Sequence, residues 1–185
     1  MKRMLGSVFI LMFLLAQSTL YAQKHFTNLD RVAEAIERKI KDTMPDWKHK
    51  SVQPVSIDEN TLTDKVAIKQ WTFGKRNMRV AVLQHQSEEE AANALRQFAA
   101  DKRTTNSLHG LGDEAYLWGI RNSIAFRQGN LTVYMSAVVT EEPNGDEALG
   151  NPAEAVRKAA EAEHDEETKV TRGFAQHIAA VLRTL

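Results

Sequence analysis

The sequence predicts an α+β domain, in which an antiparallel sheet is built from two hairpin-plus-helix units, helices pack on one face and an N-terminal helix precedes the sheet. Three observations support this prediction. Apolar residues recur at helical spacing from residue 29, strand-like runs flank a glycine-containing turn at 65–86, and further strand-like runs at 115–139 precede a helical C-terminal segment. Hairpins followed by helices favour an antiparallel sheet with helices laid on it.

The first helix is predicted from residue 29 to about Thr43. Thr27 and Asp30 have the spacing of a capping box, and Pro45 disfavours helical geometry at the residue before it. The helix carries an apolar stripe made of Leu29, Val32, Ile36 and Ile40. A loop-rich stretch follows at 46–60, with a short strand expected at 51–56.

The first hairpin-plus-helix unit spans 65–103. Runs 65–73 and 78–86 are rich in β-branched and aromatic residues, and the turn 74–77 separates them. Ser87 and Glu90 then have capping-box spacing at the start of an acidic segment, which predicts a second helix that runs to about Arg103.

The second unit begins after residue 112. Strands are expected at 115–120 and 122–127, with a bend at Gly119, and Gly129-Asn130 forms a two-residue hairpin turn. Residues 131–139 alternate between apolar and polar side chains, which predicts a strand with one face on the core. A mobile acidic loop is expected at 140–152, and a helical segment at 153–185.

The segment Gly110-Leu111-Gly112-Asp113-Glu114-Ala115-Tyr116, followed by a strand, a tight turn and another strand, resembles a motif of small exported bacterial α+β domains of unassigned function. These include lipoproteins and extracytoplasmic sensor-type domains. The chain lacks the cysteine that anchors the lipoproteins. The residues themselves indicate a structural role, because glycines permit a tight turn and Asp113 can bind backbone amides there.

Residues 1–22 have the three regions of a cleavable signal peptide: two cations, a short apolar run and a small residue, Ala22, before the cut. The mature domain is then expected to span 23–185 and to lie in the periplasm or outside the cell. An uncleaved membrane anchor and a buried core helix are the alternatives. No apolar segment after residue 22 is long enough to span a bilayer.

Composition excludes several kinds of chemistry. The chain has no cysteine, so thiol catalysis and cysteine metal sites are ruled out. Residues 1–22 hold two of the 24 basic residues and none of the 24 acidic ones, which leaves a mature net charge of −2. A nucleic-acid partner is not expected at that charge. No sequence motif calls for a cofactor.

Catalytic and metal motifs are also missing from the sequence. The six histidines form no HxH or HExxH spacing, so no metal site is predicted, and no GxSxG or SxxK serine motif occurs. The remaining catalytic candidates are His109, Asp113 and Glu114, which the glycine turn could present together as an acid–base site.

Two groups of side chains are candidate binding sites. The aromatic residues Tyr116, Trp118 and Tyr134 either line a groove on the sheet or fill the core, and the core is favoured. A basic patch is predicted at the first hairpin, where cations near aromatic rings bind nucleic acid or anionic lipid headgroups, or simply keep a hairpin end soluble. The patch consists of Lys69, Lys75, Arg76 and Arg79.

The leading hypothesis is therefore an exported, non-enzymatic domain that binds an envelope protein, another envelope component or a small ligand. One alternative is an envelope hydrolase with a scattered site of His, Asp and Glu. Another is a domain held at the membrane by an uncleaved N-terminal anchor.

Overall fold

A computed structural model describes residues 25–52, 65–100, 105–118, 123–139 and 152–185. The predicted signal peptide (1–22), the bend at Gly119 and nearly all of the predicted acidic loop (140–151) lie outside these residues. The described chain contains the helices α1 (Leu29–Thr43), α2 (Glu88–Ala100) and α3 (Pro152–Thr184). Its strands are β1 (Lys48–Lys50), β2 (Lys65–Phe73), β3 (Arg76–Gln84), β4 (Thr105–Leu108), β5 (Glu114–Trp118), β6 (Ser123–Gln128) and β7 (Leu131–Val139).

The seven strands form one antiparallel sheet in the order β1-β2-β3-β7-β6-β5-β4. Each half is a meander, and the two halves meet where β3 pairs with β7, with Val80 opposite Met135. The α+β class and the antiparallel sheet are as predicted, and the first hairpin has its turn at Gly74-Lys75.

The strand prediction needs correction at both edges of the sheet. The first edge strand is Lys48–Lys50, before the expected position of 51–56, of which residues 53–56 lie outside the described chain. The other edge strand, Thr105–Leu108, was not predicted, so the second unit has four strands rather than a hairpin with one added strand. Both edge strands are short and mainly polar, and therefore lack the alternation that identifies a half-buried strand.

The residue that caps α2 is the predicted one, whereas the residue that caps α1 is not. Asn28 caps α1, because its side chain accepts a hydrogen bond from the Arg31 amide at 3.0 Å, so the predicted cap at Thr27 was one residue early. Ser87 caps α2 as predicted, with its Oγ 3.1 Å from the Glu90 amide.

Helices α1 and α3 pack together on one face of the sheet, and the main core lies between them and the strands. Trp71 on β2 and Phe174 on α3 are fully buried, with ring centroids 5.6 Å apart. The Trp47 and Phe174 rings pack in a T-shaped arrangement with their centroids 5.0 Å apart. The predicted apolar stripe of α1 faces this core, since Ile36 and Ile40 are almost completely buried.

Helix α2 contacts β5, β6 and β7. Its Phe98 ring lies 4.8 Å from the ring of Tyr134 in an edge-on arrangement. Because Tyr134 alternates along β7 with the core-facing Val133 and Met135, this contact lies across the sheet from α1. None of the helices within the described ranges has the length and apolar content needed to cross a bilayer.

Candidate functional site

The glycine turn of the 110–116 motif is pressed against the β6–β7 hairpin. Gly112 has a φ of +57°, and a Cβ built on it would lie 2.1 Å from the carbonyl oxygen of Arg127. The next amide, that of Asp113, donates to the same carbonyl at 2.8 Å. Only glycine permits this approach, because any side chain would collide with the neighbouring backbone.

The Asp113 carboxylate completes this contact. Its Oδ2 accepts a hydrogen bond from the Gly129 amide at 2.7 Å and pairs with Arg127 Nη1 at 3.0 Å. Its Oδ1 accepts from Gln128 Nε2 at 3.0 Å. Asp113 thus binds a backbone amide, but that amide belongs to the β6–β7 turn and not to the glycine turn as predicted. Both carboxylate oxygens of Asp113 are bound to groups of the β6–β7 hairpin. The motif therefore has a structural role.

Glu114 belongs to a different group of side chains. Its Oε1 accepts from the Tyr116 hydroxyl at 2.7 Å and lies 3.3 Å from Arg96 Nε on α2. The hydrogen bond to Glu114 raises the pKa of Tyr116, and partial burial acts in the same direction. A phenol whose pKa is raised supplies no base near neutral pH, and the contact that joins α2 to β5 here is the Arg96–Glu114 ion pair.

The three candidate catalytic residues do not form one site. His109 is exposed at the start of the turn, and no hydrogen bond joins it to either carboxylate in the described structure. Asp113 is bound to the hairpin and Glu114 to Tyr116. No group of three or more potential metal ligands occurs in the described ranges.

Two of the candidate aromatic residues, Tyr116 and Tyr134, lie on the same face of the sheet, on either side of Ala125. Tyr134 packs against Phe98 of α2, whereas the Tyr116 hydroxyl binds Glu114 of its own strand. Trp118 ends β5, and its side chain lies outside the described part of the molecule.

The predicted basic patch is split between the two faces of the first hairpin. Lys69 lies on the side facing the helices and binds Glu37 of α1 at 2.8 Å, and Arg76 on the same side binds Glu166 of α3. Lys75 is exposed in the turn, and Arg79 lies on the opposite face. The four cations therefore do not form a single surface.

The ion pair of Glu37 has an electrostatic consequence. The hydrogen bond from Lys69 lowers the pKa of Glu37, with the charges of Lys69, His49 and Lys41 adding to the effect against partial burial. The His49 ring also contacts the Trp71 ring at 5.7 Å, which places His49 on the helix side of β1.

A different set of cations shares a surface. Because His49 faces the helices, the alternation of β1 places Lys48 and Lys50 on the other side of the sheet. Lys50 lies opposite Gln70, which in turn lies opposite Arg79. Lys48, Lys50 and Arg79, here called the basic outer face, are all exposed. Sequence reasoning identified Arg79 but missed the two lysines, since it did not predict β1.

The structure also contains a shallow depression between the β4–β5 turn and helix α3. It encloses about 350 Å³, including the part open to solvent. Its lining residues are Leu108, His109, Gly110, Leu111, Arg172 and Gln176.

A scan against protein-family models gave no match, and searches of curated proteins and of solved structures gave none either. Fold and side-chain geometry therefore define the protein only as a class: an α+β domain with a seven-stranded antiparallel sheet.

Proposed function

We propose that this chain is an exported, non-enzymatic domain that binds an anionic phospholipid surface of the cell envelope through the basic outer face. The observation that carries the proposal is a difference between the two faces of strands β1–β3. Lys69 and Arg76, which face the helices, have acidic partners, whereas Lys48, Lys50 and Arg79 on the outer face have none within the described residues.

On the helix side, the acids come from two helices. Glu37 of α1 pairs with Lys69 at 2.8 Å and lies 3.4 Å from His49, while Glu166 of α3 pairs with Arg76. Lys69 and Arg76 are thus paired within the fold. These two cations offer little to an external anion, since a ligand would have to displace a carboxylate.

On the outer face, the positive charge is not balanced. Lys48, Lys50 and Arg79 are exposed and make no ion pair in the part of the chain the structure describes. The strand positions between them are held by uncharged polar side chains: Gln70, Thr72 and Asn77. These three strand positions therefore add no negative charge that would repel an anionic partner.

The spacing of these cations suits an extended surface better than a compact ligand. Lys50 and Arg79 are two strands apart, which corresponds to about 10 Å, and Lys48 lies about 7 Å along the strand from Lys50. A sheet face presents such charges side by side without a concavity. Lipid headgroups offer single negative charges spread over a plane, which matches this arrangement.

Protection of the sheet edge accounts for only part of the pattern. Lysines on an edge strand discourage pairing with another chain, and this suffices for Lys48 and Lys50. Arg79 lies on β3, an interior strand paired on both sides, so edge protection gives no reason for it. Helix α2 packs on the same side of the sheet as the basic outer face. Its strand contacts there are with β5, β6 and β7.

The expected binding is weak and reversible. Each cation near an anionic membrane contributes about 1 kcal/mol, so three give roughly 3 kcal/mol at physiological ionic strength. Such attraction is screened within about 8–10 Å at that ionic strength and falls as salt rises.

Export and the absence of catalysis are parts of the same proposal. The signal-peptide pattern of residues 1–22 supports delivery to the envelope. The commitment of Asp113 and Glu114 to structural partners supports a binding domain over a hydrolase.

Vesicle flotation tests the proposal. Protein recovered from the producing cells, with its N terminus read by mass spectrometry, is mixed with anionic or zwitterionic phospholipid vesicles at low and high salt. We expect an N terminus at Gln23 and flotation only with anionic vesicles at low salt. Equal flotation with both lipids, or none with either, would overturn the proposed binding.

A pair of single variants locates the contact. Arg79→Gln should weaken anionic vesicle binding about fivefold, the equivalent of roughly 1 kcal/mol. Arg183→Gln removes an exposed charge from the end of α3 and should leave the affinity unchanged. Equal losses for the two variants would show that only net charge matters, which contradicts a defined face.

A further inference from the structure

We propose that the depression between the β4–β5 turn and helix α3 is a binding site for a small monocarboxylate that carries a short aliphatic group. This site lies on the helix side of the sheet, apart from the basic outer face, and does not depend on the proposed membrane binding.

Helix α3 supplies the groups that would hold the carboxylate. Arg172 and Gln176 are four residues apart, so their side chains lie next to each other on one face of the helix. Both are exposed, and neither has a hydrogen-bond or ion-pair partner within the described residues. A guanidinium presents a planar fork that fits a carboxylate through two parallel hydrogen bonds, and the amide adds a further donor.

The turn faces these groups and is held in place by the contacts of the motif. Gly112 is pressed on the Arg127 carbonyl, and Asp113 binds the Gly129 amide. His109 and Gly110 precede these anchored residues, so the rim of the depression is organised before a ligand arrives. Binding to a preformed site avoids much of the cost of ordering a loop.

The charge of the lining selects for a single negative charge. Among the described residues of the lining, Arg172 is the one permanent cation, His109 adds a hydrogen-bonding ring nitrogen, and none is an acid. Asp113, the acid nearest in sequence to the lining, is already neutralised by Arg127. One cation balances a carboxylate, whereas a phosphate dianion would remain half uncompensated.

Two leucines select for the aliphatic group. Leu111 is buried and Leu108 is half-buried, and both line the depression. The depression is shallow, about 350 Å³ together with the solvent it opens to, so only a short group fits beside the two leucines. The combination matches the terminal residue of a peptide or a short acylated amino acid.

Titration calorimetry with N-acetyl-leucine, N-acetyl-leucinamide and inorganic phosphate tests the site. The amide keeps the shape of the acid and loses its charge. We expect the acid to bind at least about tenfold more tightly than the amide or phosphate. Equal affinity for acid and amide would overturn the proposal, as would no binding of the acid at about 10 mM.

Matched variants on one helix locate the ligand. Arg172→Gln should reduce the affinity for the acid at least about tenfold, whereas Arg183→Gln should not change it. Amide NMR shifts on addition of the acid should be largest at His109, Gly110 and Gln176. Unchanged binding by Arg172→Gln, or shifts confined to another surface, would refute the site. Lys48→Gln should bind the acid normally, which separates this test from that of the basic outer face.

Discussion

The side chain of Asn130 binds both backbone groups of Phe26, a residue 104 positions earlier in the chain. Asn130 Oδ1 accepts from the Phe26 amide at 2.7 Å, and Nδ2 donates to the Phe26 carbonyl at 3.0 Å. The same Nδ2 donates to the His85 carbonyl at 2.9 Å. One fully buried amide thus joins the segment before α1, the end of β3 and the β6–β7 turn.

Replacing Asn130 should therefore destabilise the whole domain. Asn130→Ala removes three buried hydrogen bonds, one to the Phe26 amide, one to the Phe26 carbonyl and one to the His85 carbonyl, and each is worth about 1 kcal/mol. We expect the free energy of unfolding in urea to fall by about 3 kcal/mol or more. Asn93→Ala, at an exposed position of α2, should change it by less than about 0.5 kcal/mol. A loss at Asn130 no larger than that at Asn93 would contradict this role.

Two glycines with the same backbone conformation should respond very differently to alanine. Gly74 has a φ of +58° with nothing near its virtual Cβ, whereas Gly112 has a φ of +57° and a carbonyl at 2.1 Å. Gly74→Ala should cost only the left-handed strain, about 1–2 kcal/mol. Gly112→Ala should cost clearly more, because the turn must also separate from Arg127. Chemical denaturation of both variants measures the difference, and equal costs would show that the turn is not held closely against the hairpin.

The ion pair of Glu37 gives a pH dependence of known sign. Because its pKa is lowered in the fold, Glu37 stabilises the protein above the ordinary value of 4.5, and that contribution is lost as pH falls through the lower folded-state value. The side chain is 38% exposed, so the effect is small, below about 1 kcal/mol.

We expect Glu37→Gln to be less stable than wild type near pH 7, with the two unfolding curves converging below pH 4.5. Glu34→Gln, at an exposed position of the same helix, serves as the control and should not show this convergence. A constant difference across the pH range would exclude the ion pair as its source.

The fold class was predictable because the long elements have clear periodicity. The apolar stripe of α1 and the apolar residues of the alternating segment 131–139 face the core, as their spacing predicted. The edge strands β1 and β4 were not predictable in this way. At three and four residues they are too short to show a period, and hydrogen bonding to a neighbouring strand defines them.

The site residues were harder to assign than the fold. Sequence proximity suggested that His109, Asp113 and Glu114 act together, but a turn and a strand direct successive side chains to different partners. Strand alternation places Lys69 and Arg79 on opposite faces of the sheet. Lys69 lies two residues from the buried Trp71 and shares its face, whereas Arg79 lies between the buried Met78 and Val80 and points away from the core. The link between Arg79 and Lys50 requires the register of three strands, which no local pattern contains.

The comparison of two triple variants of equal net charge tests the central claim most directly. One variant replaces Lys48, Lys50 and Arg79 by Gln, and the other replaces the exposed helix residues Arg31, Arg38 and Arg183 by Gln. We predict that the first loses at least about tenfold in its partition coefficient onto anionic phospholipid vesicles, and that the second stays within about twofold of wild type. Equal losses in the two variants, or no loss in the first, would contradict the assignment of binding to the basic outer face.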